Sequence, residues 1–345
     1  MPFEVPEDPR TSRRNAVTRW LTLAVVAMLL ALLAYLGYVG FVGSDQLANP
    51  PSPSRDCRTP AIELGWVYEA VNYNAASDVA IADLPDPTNC PDRSVVPGTE
   101  LTASDGARLA AWYIPAGNGA SPRGPTVVLA HGYGGNKSSM LGVAEILHQR
   151  YNLVLFDFRN HGQSTGTQTT QGLLEANDLR AVLGWLREAK GPDRVAVLGQ
   201  SMGGASALNE AVGDRQVDAL ILDSLHATLS NAVQARLDRQ HYPLSLPGAW
   251  AILLGGLLRT GQDMSAVDPV SLIGRFDRPV LIIAGGRDDA IGANDPQDLL
   301  AAAQSGQAQA ELRVCPEANH GQPVERCRGD YADWVLGFLE RSLGR

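Results

Sequence analysis

Apolar residues fall into one long unbroken stretch near the N-terminus and a series of short runs after residue 97. Trp20 to Val42 contains no charged residue. At about 1.5 Å per residue, these ~23 residues extend about 34 Å as a helix, enough to cross the hydrocarbon core of a bilayer. A cleavable signal sequence has a shorter apolar region and a small-residue cleavage site. A soluble core helix rarely excludes polar residues from every face for so long. The pattern predicts a transmembrane helix over residues 20–43.

The later runs are short and Val-, Ile- and Leu-rich, as strands buried on both faces are. They predict strands at Thr99–Ala103, Arg108–Ile114, Thr126–Ala130, Asn152–Phe158, Val195–Leu198, Val217–Asp223, Pro279–Ala284 and Glu311–Cys315. Ser104-Asp105-Gly106-Ala107 between the first two is a hairpin signal. Helices are expected at Ser139–Tyr151, Leu173–Ala189, after Met202, near Pro296–Gln304 and at Tyr331–Leu343. Alternating strands and helices require a mostly parallel sheet covered by helices on both faces, the doubly wound α/β class. Residues 226–275 form a helical insertion after strand 6, with helices expected at Ala227–Arg239 and Ala249–Leu258; it would sit over the carboxyl edge, where such sheets bind ligands.

Charge orients the N-terminal part. Arg10, Arg13, Arg14 and Arg19 precede the apolar stretch, and the first basic residue after it is Arg55. The positive-inside rule then puts residues 1–19 in the cytoplasm and everything after residue 43 outside. Residues 44–96 read as a Pro/Ser linker followed by an extension, with Ile62–Tyr73 a short helix or a strand and Asp83–Arg93 a turn-rich loop. The domain proper is read as residues 97–345. A net charge of −9 with no block of like charge argues against nucleic acid as a partner.

One short stretch carries the chemistry. Gly199-Gln200-Ser201-Met202-Gly203 lies between the strand Val195–Leu198 and a helix, and fits the G-x-S-x-G nucleophile elbow. A strand that turns sharply into a helix strains its central residue, so the positions two away must lack bulky side chains. Ser201 would stand at a helix N-terminus, where free N–H groups favour developing negative charge. An incidental serine in a glycine-rich turn is the alternative; the flanking elements and the partners downstream argue against it.

Serine needs a base, and the base an orienting carboxylate, both at strand ends after Ser201. Of the downstream histidines, His320 follows the last strand in Cys315-Pro-Glu-Ala-Asn-His-Gly321, whereas His226 and His241 read as structural or pocket-lining. The acid is expected in Gly285-Gly286-Arg287-Asp288-Asp289, with Asp288 preferred, Asp289 open, and Asp223 a third option. An oxyanion hole takes one backbone N–H from Met202 and one from the loop His131-Gly132-Tyr133-Gly134-Gly135, where Tyr133 is the second donor and His131 a loop-fixing residue.

These pieces resemble an α/β-hydrolase fold serine hydrolase, of the group that includes serine aminopeptidase-like and esterase-like bacterial proteins. The resemblance covers residues 97–343 and rests on residues 104–112, His131–Gly135, Asp157–Ser164, Gly199–Gly204, Gly285–Asp288 and Asn319-His320. It implies an eight-stranded α/β-hydrolase sheet with Ser201, Asp288 and His320 as the triad, and the Asp157–Ser164 turn as a structural element before a pocket-lining one. Asn160 stands where relatives commonly have Gly, and Gly292 where many have Pro.

The expected activity is cleavage of a carboxylic ester or related acyl bond on a small-molecule substrate, at the outer face of the cell membrane, with no cofactor or metal. A peptidase reading lacks an acidic cluster to hold a free amine, since Asp238 and Asp263 are isolated. A non-catalytic interaction module would have lost a triad member, and a dehalogenase would carry Asp in place of Ser201. The four cysteines form two sequence-local pairs, Cys57 with Cys90 and Cys315 with Cys327. Disulfides are permitted in an exported domain; four free thiols are the alternative.

Overall fold

The computed structural model describes residues 9–51, 58–71, 101–213 and 215–344. Helix α1 (Pro9–Ala48) is followed by α2 (Pro60–Leu64) and β1 (Glu69–Val71). The sheet continues through β2 (Ala111–Ile114), β3 (Thr126–Ala130), α3 (Leu141–Leu147) and β4 (Asn152–Phe156). Then come α4 (Leu174–Ala189), β5 (Val195–Gln200), α5 (Met202–Ala211) and β6 (Ala219–Asp223). The insertion contributes α6 (Leu229–Arg239), α7 (Ser245–Thr260) and α8 (Pro269–Ile273). The chain closes with β7 (Val280–Gly285), α9 (Asp295–Ser305), β8 (Ala310–Cys315), α10 (Pro323–Arg326) and α11 (Arg328–Leu343).

The eight strands lie in the order β1-β2-β4-β3-β5-β6-β7-β8. β2 is antiparallel to both its neighbours and every later pairing is parallel. The central strands are fully buried because each side of the sheet has its own apolar layer. Along β3, Val127 and Leu129 join the layer of Leu141, Ala144, Val335 and Phe338 from α3 and α11. Val128 and Ala130 point the other way, to Leu179, Leu183, Leu208 and Leu299 from α4, α5 and α9. Strict alternation fixes the register, since a one-residue slip would exchange the two layers.

Two expectations change. The hairpin around Ser104–Ala107 closes, with Leu109 N–H donating to Leu101 O, but it is reduced to a single bridge between Thr102 and Arg108. Thr99 and Glu100 lie outside the described residues. The antiparallel edge strand beside β2 is Glu69–Val71, from the stretch read as helix or strand, which also supplies the short helix α2.

The second change concerns α1. No Pro or Gly pair breaks the helix until Pro50, so it runs on past residue 43 to Ala48, and the extended linker expected from Ser44 starts later. Ser44, Leu47 and Ala48 are buried against the rest of the protein. The remainder of the Pro/Ser segment at 52–57 and the loop at 83–93 lie outside the described residues.

Helices α1 and α7 pack side by side through small residues. A Cβ on Gly40 would lie 2.7 Å from Ala251 O, and one on Gly255 would lie 2.6 Å from Gly40 O. The helices run in the same direction: Tyr35 OH donates to Pro243 O at 2.6 Å before the start of α7, and Asp45 pairs with Arg259 at 3.2 Å near its end.

Candidate active site

The turn between β5 and α5 is as tight as the motif demands. Ser201 has φ 51° and ψ −116°, a conformation that costs a non-glycine residue about 1–3 kcal/mol. A Cβ on Gly199 would lie 2.4 Å from Gly203 O, and one on Gly203 would lie 2.2 Å from Ala130 O. Both glycines are therefore required by backbone contact, and the serine between them is thrust off the strand end. Its N–H donates to Asp223 O at 2.8 Å, which ties the elbow to β6.

The Ser201 hydroxyl donates to His320 Nε2 at 2.9 Å, and His320 Nδ1–H donates to Asp288 Oδ2 at 2.9 Å. The Asp288 side chain is 1% exposed, and its other oxygen accepts the Ala290 N–H at 3.0 Å. Asp289 points elsewhere: it is 67% exposed and pairs with Arg239 at 2.9 Å. Asp223, fully buried, accepts from Ser224 Oγ at 2.9 Å and Tyr331 OH at 3.0 Å. Burial raises its carboxyl to about 6. Three adjacent candidate acids thus have three different partners, and Asp288 is the one on His320.

The loops bearing Asp288 and His320 are stitched together. Gly286 N–H donates to Cys315 O at 2.7 Å and Arg287 N–H to Ala318 O at 2.9 Å. A Cβ on Gly285 would lie 2.4 Å from Ala318 O, so only glycine allows this approach. Next to His320, Gly321 is held from both sides: its N–H donates to Ser224 Oγ at 3.0 Å and its carbonyl accepts from Gln200 Nε2 at 3.1 Å. A disulfide joins Cys315 to Cys327 across this loop. The other expected pair, Cys57 and Cys90, lies outside the described residues.

Gln200, Ser224 and Tyr331 are site residues that sequence reasoning missed. The signals were slight: Gln200 is the variable position of the elbow motif, and Ser224 follows a strand end.

The loop 131–135 passes beside the elbow, where a Cβ on Gly132 would lie 3.5 Å from Ser201 Cβ. Two histidines clamp it. His131 Nδ1–H donates to Gly132 O at 2.7 Å while Nε2 accepts the Phe158 N–H at 3.1 Å. His161 Nδ1–H donates to Arg159 O at 2.8 Å while Nε2 accepts the Gly134 N–H at 3.2 Å. Each ring must be neutral to accept there, and burial agrees, lowering His131 to about 3 and shifting His161 down as well. His131 therefore fixes a loop, as expected. Among the described residues, no protein acceptor takes up the backbone N–H of Tyr133 or Met202. The Tyr133 hydroxyl donates to Gln46 O at the end of α1.

The Asp157–Ser164 turn carries the outer side of this clamp. Asp157 is buried and accepts the Lys137 N–H at 2.7 Å and the Gln163 N–H at 2.9 Å, with the Lys137 ammonium paired to it. Asn160 sits at φ 58°, a conformation open to Asn as well as Gly, and its amide donates to Ala48 O at 3.2 Å. Gly292, where Pro was the common residue, donates its N–H to Asp295 Oδ2 at 2.9 Å, a bond proline could not make. His226 is buried with Nε2 unpartnered among the described residues, and burial lowers it to about 4. His241 is exposed in the α6–α7 turn.

This geometry can be set beside known proteins. The family described as alpha/beta hydrolase fold matches residues 125–264. Rv2307c of Mycobacterium tuberculosis (strain H37Rv) is 34% identical over 226 residues, which cover 65% of this chain and 72% of that protein. The chain belongs to the α/β-hydrolase family. YfhR of Escherichia coli K12 is 29% identical over 263 residues, covering 73% of this chain and 84% of YfhR. Among solved structures, the Pyrococcus furiosus esterase Pf2001 superposes with a TM-score of 0.65 at 23% identity, over 86% of this chain and 99% of that one. The α/β-hydrolase sheet is therefore a shared scaffold.

Proposed function

We propose that this α/β-hydrolase is a serine hydrolase that cleaves a carboxylic ester or related acyl bond through an acyl-enzyme. The observation that carries the reading is the hydrogen-bonded line from Ser201 Oγ through His320 to Asp288, with both links at 2.9 Å. His320 Nε2 takes the Ser201 proton as the hydroxyl oxygen attacks the acyl carbon. The carbonyl oxygen becomes an oxyanion and is met by the N–H groups of Met202 and Tyr133. His320 then gives the proton to the leaving alkoxide, and Asp288 stabilises the imidazolium in between. Water, activated by the same histidine, attacks the acyl-serine, and Ser201 leaves with its proton restored from His320. The Pyrococcus neighbour is an esterase, which makes esters the first substrates to test.

Residues 20–43 act in this reading as a signal anchor. The apolar part of α1 has a mean hydropathy of 2.4 over its best window, of which only 11% is buried, so it is no core helix of a soluble domain. Arginines before the span and the Cys315–Cys327 disulfide both favour an extracytoplasmic catalytic domain.

The experiment is labelling by a fluorophosphonate, which reacts with an activated serine. Wild type should label and Ser201→Ala should not, with unchanged folding; equal labelling of both would remove Ser201 from the mechanism.

A further inference from the structure

Helix α7 is apolar on every side. From Leu246 to Leu258 it carries no charged residue and no polar side chain except the indole N–H of Trp250. One face, with Ala249, Leu253 and Gly256, is buried in the domain. A second, with Ala251, Ile252 and Gly255, packs on α1. The third face should be polar if it met water. Instead Leu246, Trp250, Leu254 and Leu258, spaced four apart along one stripe, are 50%, 54%, 57% and 80% exposed.

The stripe is continuous with the exposed apolar surface of α1. Between the two helices runs a groove of about 780 Å³, bordered by Leu33, Phe41, Trp250, Leu254 and Leu258. Because the helices run in the same direction, the start of α7 is level with Tyr35, within the apolar stretch of α1. Its end is level with the Asp45–Arg259 ion pair, where both helices turn polar together. At 16 residues α7 is about 24 Å long, shorter than the ~30 Å bilayer core, so it can lie along part of the span without crossing.

We infer that α7 is a second membrane-contacting element: its stripe faces the acyl chains of the leaflet on the catalytic-domain side, and lipid chains occupy the groove between α7 and α1. This rests on the reading of α1 as a membrane anchor. The occupant is a phospholipid surface rather than a second copy of the chain, because the stripe shares both its depth and its polar boundary with α1. The insertion that covers the carboxyl edge of the sheet is then in contact with lipid.

Two tryptophans separate this inference from the reading beneath it, since Trp20 lies in the span and Trp250 on the stripe. The full-length protein is reconstituted, one copy per nanodisc, in phosphatidylcholine brominated at mid-chain, and fluorescence quenching is compared in W20F, W250F and W20F/W250F. A quenched component present in W20F and lost in W20F/W250F is the expected result. If W20F and the double variant are quenched equally while W250F retains its Trp20 component, α1 spans the membrane and the inference about α7 is overturned. If neither tryptophan contributes, the anchor reading fails with it. Trp250 shielded in densely loaded vesicles, with copies crosslinked through α7, would make a second chain the occupant and equally overturn the inference.

Discussion

The Tyr133 hydroxyl donates to the main-chain carbonyl of Gln46, so the loop expected to hold the oxyanion is fastened to the C-terminal turn of α1. It does not act alone. Gln171 Nε2 donates to Leu47 O at 2.9 Å, and Thr169 N–H to Ala48 O at 2.9 Å. The last carbonyls of a helix have no partner inside it. Here the catalytic domain supplies donors to three of them, and one donor belongs to the active-site loop.

Tyr133→Phe should therefore lower kcat on a small soluble ester while leaving KM nearly unchanged. A net hydrogen bond contributes about 0.5–1.5 kcal/mol, so the loss should be roughly 2- to 10-fold. Steady-state kinetics on the purified full-length protein check it; a wild-type kcat would mean that the tie to α1 does not position the loop.

Asp288→Asn should reduce kcat by about 10³–10⁴-fold, the scale seen when a triad carboxylate loses its charge. Asp289→Asn, which disturbs only the exposed pair with Arg239, should stay within a few-fold of wild type. The reverse ranking would move the acid to Asp289.

The two buried histidines should contribute less to stability on acidification below the ordinary histidine range. His131 and His226 have folded-state values of about 3 and about 4, lower than when unfolded. The unfolded chain then binds more protons between about pH 6.5 and those values. Stability contributed by the neutral rings is complete above 6.5 and is lost as pH falls toward 4 and 3, by up to about 1.4 kcal/mol per pH unit for each ring. Asp178 and Asp223, raised by burial to about 7 and about 6, act in the opposite sense as pH falls toward 4 and offset the contribution of the rings. In thermal melts from pH 7 to 4, His226→Phe should gain stability relative to wild type as pH falls; a difference between the two that does not change with pH would mean that the ring at 226 charges freely in the folded protein.

Breaking the Cys315–Cys327 bond frees a 12-residue separation in the unfolded chain, about 3 kcal/mol in the chain-entropy model. Cys315→Ala with Cys327→Ala should lower Tm by about 6–12 °C for a domain of this size. Calorimetry on the double variant, with and without reductant, gives the measure: reductant should lower the Tm of wild type by about that much more than the Tm of the variant.

How much of this was legible depended on how local the cause is. β3, β5 and β7 announce themselves because burial on both faces demands a continuous apolar run. The elbow was legible because its motif is contiguous: Gly199 is imposed by the backbone of Gly203 four residues on, even though Gly203 is itself imposed by Ala130 on β3. β1 was not, since three edge residues, only one of them buried, leave no periodicity to read. Asp288 and Asp289 are alike in sequence and differ only through where the chain goes afterwards, one meeting His320 and the other Arg239. The support of Gly321 by Gln200 and Ser224 comes from residues about 100 to 120 positions away, and no local pattern encodes such a contact. The docking of α1 was hidden for a related reason: Gly40, Gly43 and Ser44 look like ordinary small residues of an apolar helix until α7 is placed beside them.

The unbroken course of α1 to Ala48 bears on what the enzyme can reach. A catalytic domain on a loose tether sweeps a hemisphere and samples substrates at many heights and angles. One gripped at three successive carbonyls of a stiff helix keeps a single bearing relative to that helix. With the helix set in a bilayer, Ser201 would work at one altitude above the lipid, like a tool fixed to a mast, and a scissile bond would have to be presented at that level to be cut.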